Sequence, residues 1–207
     1  AVGNLSALRA AVDRVAEEAE HPGAVAVAAP PATTGIGHTR WATHGRVTEE
    51  NAHPHFDDDN RVHIVVNGIV ENYMELKQEL LDDGAHFTSE TDVEVIAHLI
   101  ARGLDEHGFV ESVRLAYNRL RGHYSFVAVA ADEPGVLVGA RKECPLIVGV
   151  GEGEQFIASA IPAFLAQTRK AQFLNDDELV VLRPEGTEFI DASGAQLERE
   201  TTDIDWD

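Results

Sequence analysis

The chain has 207 residues, 44% of them apolar, which is enough for one large domain or two small ones with a real core. Its 36 acidic residues face 16 basic ones, and the resulting net charge of −20 disfavours nucleic-acid binding because the protein would repel phosphates. No window holds the roughly 18 uninterrupted apolar residues of a membrane span, and the start shows no secretory signal pattern. These features predict a soluble, cytoplasmic protein with neither a membrane nor a nucleic-acid partner.

The distribution of charge adds a hypothesis about the environment of the protein. The acidic residues are scattered along the chain, and only Lys77, Lys142 and Lys170 are lysines among the basic residues. Scattered acid with scarce lysine suits a halophilic protein in a high-salt cytoplasm, because salt screens the self-repulsion. The single cysteine, Cys144, cannot form an internal disulfide and fits a reducing compartment.

The first part of the chain is predicted to contain one helix and two extended segments. Leu5 to Ala19 places its apolar residues on one face, with Ser6 as a candidate cap, and is predicted to be an amphipathic helix. Ala24 to Ala29 is short, apolar and extended in this interpretation. Gly35 to Trp41 is predicted to be a strand that leads into a loop rich in polar groups.

The rest of the chain is predicted to be a strand, three helices and then a β-rich region. Val62 to Val66 is a β-branched strand that Asn67-Gly68 is expected to end sharply. The predicted helices are Glu71 to Asp83, Thr91 to Leu104 and Phe109 to Leu120. They are followed by short strands at Tyr124 to Ala131, Val136 to Arg141, Leu146 to Val150, Gln155 to Ser159 and Glu178 to Leu182, a short helix at Ile161 to Gln167, and a hairpin near Ala192-Ser193-Gly194. Helices grouped together rather than alternating with strands predict stacked sheets with helices outside.

Apolar spacing identifies the helix faces that are expected to be buried. In the first of the three helices the candidates are Met74, Leu76, Leu80 and Leu81, and in the second they are Val93, Ile96, Ala97 and Ile100. Ser89 and Thr91 are candidate caps of that second helix. With no internal repeat and no dividing linker, we expect one domain over residues 1–207.

Residues 37 to 45 concentrate chemistry in a short stretch. An arginine, two histidines, two threonines and a tryptophan lie there between glycines that can bend the backbone. The segments G-H-T-R-W-A-T-H-G, N-A-H-P-H, N-G-I-V-E-N-Y and S-E-T-D-V-E-V-I follow one another along the chain. Together they resemble the glutaminase domain of the glucosamine-6-phosphate synthase family, in register from about Gly35 to Asp207. These are class II glutamine amidotransferases.

This resemblance implies a fold, an activity and partners. The implied fold is α+β, a four-layer αββα sandwich of the N-terminal-nucleophile hydrolase type, here N-terminally truncated. The implied activity is hydrolysis of L-glutamine to glutamate and ammonia, with the ammonia used to aminate fructose 6-phosphate to glucosamine 6-phosphate, and no cofactor is expected. Residues 201–207 resemble the start of the link to a sugar isomerase domain of the same polypeptide, and the resemblance also allows a homodimer.

The resemblance also assigns roles to residues that contact glutamine. Arg40 would bind the α-carboxylate, which a guanidinium can do bidentately, although a surface salt bridge is the alternative. Asp92 would bind the α-ammonium, whereas by position alone it could simply complement a helix dipole. Trp41, Thr43 and His44 would belong to the loop that folds over bound glutamine.

Catalysis further needs an oxyanion hole and a nucleophile. In the family, the counterparts of Asn67 and Gly68 stabilise the oxyanion through a side-chain amide and a backbone N–H, although Asn-Gly is also a favoured turn pair. The family nucleophile is an N-terminal cysteine in Cys-Gly-Ile-Val-Gly, whose α-amino group activates the thiol. This sequence begins Ala1-Val2-Gly3, and Cys144 has no α-amino group beside it, which favours a packed turn cysteine. We therefore expect a fragment that is inactive as given.

Three alternatives remain open from the sequence. One is an amidotransferase of the same class with another acceptor, and a second is a non-catalytic glutamine sensor. The third is a metal-binding protein that uses histidines and an aspartate within about twenty residues, although none of their spacings is a recognised ligand pair. The residues in question are His38, His44, His53, His55 and Asp57.

Overall fold

A computed structural model describes residues 33–40 and 46–205, together with Ser6, Arg9, Ala10 and Arg14. The strands along this part of the chain are β1 (His55–Phe56), β2 (Val62–Val70), β3 (Gly122–Ala130), β4 (Leu137–Lys142), β5 (Ile147–Val150), β6 (Gln155–Ala158), β7 (Lys170–Phe173), β8 (Glu178–Arg183), β9 (Gly186–Asp191), β10 (Gln196–Leu197) and β11 (Thr202–Asp203). They form a seven-stranded sheet in the order β1-β2-β3-β4-β8-β9-β10 and a four-stranded sheet in the order β11-β7-β5-β6. Every strand pair within the two sheets is antiparallel.

Within residues 46–205, three helices share a hydrophobic core with the larger sheet. They are α1 (Tyr73–Asp82), α2 (Glu94–His107) and α3 (Phe109–Tyr117), and a 3-10 helix at Ile161–Ala163 follows later. Of these, α2 contacts β1 and β2, and α3 contacts β4. Among the described residues, no helix is long and apolar enough to cross a membrane.

Side-chain alternation along the strands builds two separate layers of core. In β2, Val62, Ile64 and Val66 join the cluster beneath the helices, whereas Val65 joins a second cluster with residues of the smaller sheet. This follows from the period of two in a strand, and each buried valine or isoleucine contributes about 1.5 to 3 kcal/mol. The expected α+β sandwich is therefore confirmed.

The end of the described chain also packs into this architecture. β11 pairs with β7, and Ile204 is buried in a third cluster on the smaller sheet with Ile147, Phe164 and Ala171. At the start of the chain, Ser6, Arg9, Ala10 and Arg14 are helical. The rest of the predicted Leu5 to Ala19 helix lies outside the described residues. The predicted Ala24 to Ala29 segment lies there too.

The buried stripe predicted for α2 is confirmed, since Val93, Ile96, Ala97 and Ile100 are all buried. The buried set predicted for α1 is only half right. Leu76 and Leu80 are buried one turn apart, whereas Met74 is 71% exposed and Leu81 is 44% exposed. The reason is rotation about the helix axis, because Met74 lies about 200° from Leu76 and Leu81 lies about 100° from Leu80.

Several predicted boundaries are wrong for identifiable reasons. Helix α2 begins at Glu94, and neither Ser89 nor Thr91 caps it, because their hydroxyls bond to each other and the Ser89 hydroxyl also donates to Glu94. β2 does not stop at Asn67-Gly68 but continues to Val70, since β3 pairs with it along its whole length.

Two other predicted elements differ, and three were not predicted. Residues 33–40 are not in a strand, and the predicted helix after Ile161 is only a 3-10 turn of three residues. The hairpin near Ser193 is confirmed between β9 and β10. The strands β1, β7 and β11 were missed, because two to four residues are too few to show a period.

Candidate active site

A cavity of about 310 Å³ lies where three segments of the chain meet. Its walls come from residues 38–40, from the second half of β2 and from the residues that precede α2, and His53 also lines it. They are His38, Thr39, Arg40, His53, Val66, Asn67, Gly68, Ile69, Thr91, Asp92 and Val93. Four of the predicted site residues, Arg40, Asn67, Gly68 and Asp92, therefore line one cavity, while Trp41, Thr43 and His44 lie outside the described residues.

A hydrogen bond between the second and third segments holds this arrangement together. The Val70 N–H, at the end of β2, donates to Asp92 Oδ2 at 2.7 Å, and Asp92 is buried. Because Asn67 and Gly68 lie three and two residues before Val70 on the same strand, this bond fixes the Asp92 carboxylate near both of them. A charge-assisted bond of this kind is stronger than one between neutral groups.

Asn67 and Gly68 are part of the strand rather than of a turn. They pair with Ser125 and Tyr124 of β3, and Gly68 has a φ of 129°, a conformation that favours glycine. The side chain of Asn67 is exposed and makes no hydrogen bond with the described residues. Its amide can therefore donate to a ligand in the cavity.

Arg40 is partly buried, and its guanidinium is oriented by the backbone. Nη1 donates to the Arg46 carbonyl oxygen at 3.0 Å. The same oxygen accepts a hydrogen bond from Asn51 Nδ2 at 3.0 Å. These two hydrogen bonds connect Arg40 to Arg46 and Asn51, which follow positions 41–45 in the chain.

Three imidazoles lie next to one another beside this guanidinium, with their rings tilted or edge-on rather than parallel. The ring centroids of His38 and His53 are 4.1 Å apart, and those of His53 and His55 are 4.5 Å apart. Burial, followed by the nearby His38, His55 and Arg40 charges, lowers the pKa of His53 to about 3. Burial is also the main cause that lowers the pKa of His55 to about 4, and it lowers the pKa of His38 as well. These three imidazoles are neutral at pH 7. The positive charge among the lining residues therefore rests on Arg40 and the negative charge on Asp92.

A buried carboxylate organises the segment that carries Asp92. Glu94 is fully buried, and it accepts hydrogen bonds from the backbone N–H groups of Thr88 and Ser89, both at 2.7 Å, and from both of their hydroxyls. Burial alone would raise its pKa, but these bonds and the His98 imidazole, 3.7 Å away, outweigh burial and lower the pKa to about 2. Ser89 also bonds to Thr91, which bonds to His55 Nε2 at 3.2 Å. These hydrogen bonds connect the start of α2 to the three neighbouring imidazoles.

This geometry suits a small zwitterion. A guanidinium and a carboxylate on one cavity match an α-carboxylate and an α-ammonium, and the cavity volume is at the lower end of ligand pockets. A free amide and a glycine in an unusual backbone conformation line the same cavity.

Comparison with known proteins agrees with this geometry. A family model described as glutamine amidotransferase domain matches residues 38–166, which is more than half of the chain. The chain belongs to this family.

Relatives with curated names show which amidotransferases it resembles. The chain is 48% identical over 192 residues to glutamine–fructose-6-phosphate aminotransferase (isomerizing) of Streptomyces coelicolor, an alignment that covers 92% of this chain and 30% of the relative. It is 51% identical over 177 residues to the enzyme of the same name from Methanothermobacter thermautotrophicus, covering 85% of this chain and 30% of the relative. The chain therefore spans about 30% of the length of these relatives.

A solved structure supports the fold. The glutamine phosphoribosylpyrophosphate amidotransferase of B. subtilis superposes with a TM-score of 0.63 at 25% identity, over 77% of this chain and 35% of that one. The helices and antiparallel sheets described above thus form an amidotransferase domain.

No cysteine is among the described residues that line the cavity. Cys144 does not line the cavity, and burial followed by the Glu143 charge raises the pKa of its thiol. A raised pKa keeps the thiol protonated and unreactive, since the thiolate is the nucleophile. The described residues therefore support the interpretation of Cys144 as a packed cysteine.

The histidine cluster does not form a metal centre in the described part of the chain. Among the described residues, no group of three or more His, Cys, Asp or Glu side chains is arranged to hold a metal ion. His44 is not among the described residues. The carboxylate of Asp57 is instead engaged by the Val62 N–H at 2.7 Å.

Sequence reasoning missed the supporting residues of the site. His53 was considered only as a candidate metal ligand, although it lines the cavity. Asn51, Glu90 and Glu94 were missed as supporting residues. Their only signal was membership of the recognised segments, because spacing along the chain does not reveal which polar groups meet in space.

Proposed function

We propose that this chain binds L-glutamine in the cavity and forms the glutaminase part of a glutamine–fructose-6-phosphate aminotransferase. The observation that carries the proposal is the convergence of Arg40, Asn67, Gly68 and Asp92 on one cavity. Arg40 binds the α-carboxylate, and Asp92 binds the α-ammonium. The side-chain amide of the substrate then points towards Asn67 and Gly68.

The chemistry follows from this orientation. A thiolate attacks the side-chain amide carbon of glutamine, and the carbonyl oxygen becomes an oxyanion that accepts hydrogen bonds from the Asn67 amide and the Gly68 N–H. Such a donor contributes about 3 kcal/mol to stabilising the transition state. The C–N bond then breaks. The leaving nitrogen takes up the proton that the thiol gave up when it became the thiolate, and it departs as ammonia. Water hydrolyses the thioester to glutamate and regenerates the thiol, so glutamine and water give glutamate and ammonia.

The proposal places the nucleophile outside the given sequence, because the only thiol within it, Cys144, is not at the cavity. The ammonia acceptor, fructose 6-phosphate, belongs to the proposal through the names of the relatives and would bind elsewhere in the longer protein. All experiments below therefore use the complete gene product, meaning this chain with whatever its gene encodes around it.

Replacing Arg40 by alanine tests the carboxylate clamp. We expect glutamine affinity to fall at least about 100-fold, or about 2.7 kcal/mol, because a charge-assisted bidentate contact is lost. Titration calorimetry with glutamine measures this. The matched control is Arg119→Ala, which removes a surface arginine paired with Glu79 and should leave the affinity unchanged. Equal losses in the two variants would mean that the pocket has been misplaced.

A non-catalytic glutamine sensor is the second candidate, and the position of Cys144 away from the cavity favours it. Both candidates predict glutamine binding that depends on Arg40. Release of glutamate by the complete gene product separates them, because a sensor binds glutamine without releasing either glutamate or ammonia.

The charge composition leads to a proposal about environment, a high-salt cytoplasm. A net charge of −20 repels itself at low salt, and the screening length falls from about 10 Å at 0.1 M to about 3 Å at 1 M. We expect the melting temperature to rise by about 5 °C or more between 0.1 and 2 M KCl, with most of the rise below 1 M. Sucrose of equal osmolality is the control, because it is excluded from surfaces without screening charge. An equal rise in sucrose would rule out screening as the cause.

A further inference from the structure

The backbone of Arg46 lies at the junction between the cavity arginine and the segment that leads to Asp92. Its carbonyl oxygen accepts from both Arg40 Nη1 and Asn51 Nδ2 at 3.0 Å. Its N–H donates to Glu90 Oε2 at 3.4 Å. The backbone of Arg46 is thus held at both its N–H and its carbonyl oxygen, and that oxygen orients the guanidinium.

Asn51 and Glu90 are themselves joined by two hydrogen bonds. Asn51 Nδ2 donates to Glu90 Oε2 at 3.2 Å, and the Glu90 N–H donates to Asn51 Oδ1 at 2.8 Å. Asn51 is only 2% exposed and uses both ends of its amide. An aspartate there could accept but not donate, so the position requires an amide. Hydrogen bonds from Asn51 and then from the Arg46 N–H lower the pKa of Glu90, which is consistent with a carboxylate held in its charged form.

We propose that Asn51 and Glu90 are positioning residues that hold Arg40 in the geometry needed to bind the substrate carboxylate. The inference rests on the proposed function of the cavity and assigns it two further residues. The contacts run from Glu90 and Asn51 to the backbone of Arg46 and from there to Arg40. A guanidinium carries five N–H donors, and the bond to Arg46 uses Nη1 to orient the group.

The position of the pair explains why its effect falls on binding. Glu90 is two residues before Asp92, so the same pair connects the residues proposed to bind the two charged ends of an amino acid. A clamp on the non-reacting end of the substrate acts equally in the ground state and the transition state. Its loosening therefore raises KM and leaves kcat nearly unchanged.

The test is the steady-state kinetics of glutamate release by Asn51→Asp in the complete gene product. This change removes the donor to Arg46 and places a second carboxylate against Glu90. We expect KM for glutamine to rise at least tenfold, with kcat within twofold of wild type. Adding Glu90→Gln to this variant should recover part of the KM, because it removes the repulsion between two carboxylates.

A matched pair elsewhere in the fold serves as the control. Asn175 Nδ2 donates to Glu178 Oε1 at 2.9 Å, and the Asn175 N–H donates to the same carboxylate at 2.7 Å, away from the cavity lining. Asn175→Asp brings two carboxylates together in the same way, and it should lower the melting temperature without changing KM. A merely structural role for Asn51 would make the two variants alike.

The outcomes separate this inference from the function on which it depends. If the wild type neither binds glutamine nor releases glutamate, the proposed function fails. If the wild type is active and a folded Asn51→Asp has an unchanged KM, or loses kcat alone, the positioning role is wrong. Should Asn51→Asp not fold, Glu90→Gln at an exposed position decides by the same criterion, with a threefold or larger rise in KM expected and an unchanged KM overturning the inference.

Discussion

Substituting Glu94 by glutamine is expected to lower the free energy of unfolding by about 3 kcal/mol at pH 7, because a buried, fully bonded carboxylate is lost. Glutamine has nearly the same volume but only one acceptor oxygen. Thr88 and Ser89 present two backbone N–H groups and two hydroxyls to the present carboxylate. After the change, donors at one of the two residues face an NH₂ group inside the protein.

Urea unfolding of this domain within the complete gene product, with hydrogen exchange of the α2 amides to localise the loss, measures the effect. Glu111→Gln is the matched control, because Glu111 also lies in the first turn of a helix but pairs with Arg114 at a partly exposed site. Exposed pairs of this kind contribute under about 1 kcal/mol. A loss in Glu94→Gln no larger than that in Glu111→Gln would contradict the network.

Acid stability should follow from the same group. The folded-state pKa of Glu94 is about 2, below its ordinary 4.5, so the unfolded chain binds the proton more readily between these values. The stabilisation by Glu94 is therefore complete above about pH 4.5 and is lost as the pH falls towards 2. We expect the stability difference between wild type and Glu94→Gln to shrink across that window, and a constant difference would contradict the shift.

His53 and His55 also make the domain less stable as the pH falls, but over a higher pH range than Glu94. The pKa values of His53 and His55 are about 3 and about 4, below the ordinary 6.5, so the unfolded chain takes up their protons first. Their contribution is complete above about pH 6.5 and declines as the pH falls towards those values. Acid weakening of the domain should thus begin with the imidazoles and continue with Glu94.

The spacing of apolar residues was sufficient to predict which face of a helix is buried where the helix has one continuous apolar face. The stripe of α2 is buried as predicted, because four apolar residues at helical spacing have one core to meet. Met74 and Leu81 show the limit of that reasoning. They are apolar, but their angular position on α1 turns them to solvent, and an exposed apolar side chain is common on protein surfaces.

The site was predicted from segments that resemble a family, not from local propensity. Propensity favoured a turn at Asn67-Gly68, whereas pairing with β3 carries the strand through both residues. Tertiary pairing overrode a local preference there. The supporting contacts of Asn51 and Glu94 could not be predicted from the sequence, because they join groups whose approach depends on how α2, β2 and the residues after position 45 pack.

Replacing Gly68 by alanine is expected to destabilise the domain by about 4 kcal/mol, the sum of an unfavourable φ and a steric clash. At a φ of 129°, a Cβ at this position would lie 2.0 Å from the His123 carbonyl oxygen and 2.6 Å from Tyr124 Cα. Both are backbone atoms of β3, so no change of rotamer can relieve the contact. The two strands would have to separate at the point where they border the cavity.

Gly84→Ala separates the two causes. Gly84 has a φ of 93°, also unfavourable for alanine, but a Cβ there meets nothing within 4 Å. Its cost, about 1 to 2 kcal/mol, measures the backbone conformation alone. The excess in Gly68→Ala, measured by urea unfolding with hydrogen exchange of β2 and β3, then reports how closely β3 supports the strand. Equal costs would mean that β3 leaves room at Gly68. A large excess, together with lost glutamate release, would show that the close pairing of β2 and β3 holds the proposed oxyanion donors in place.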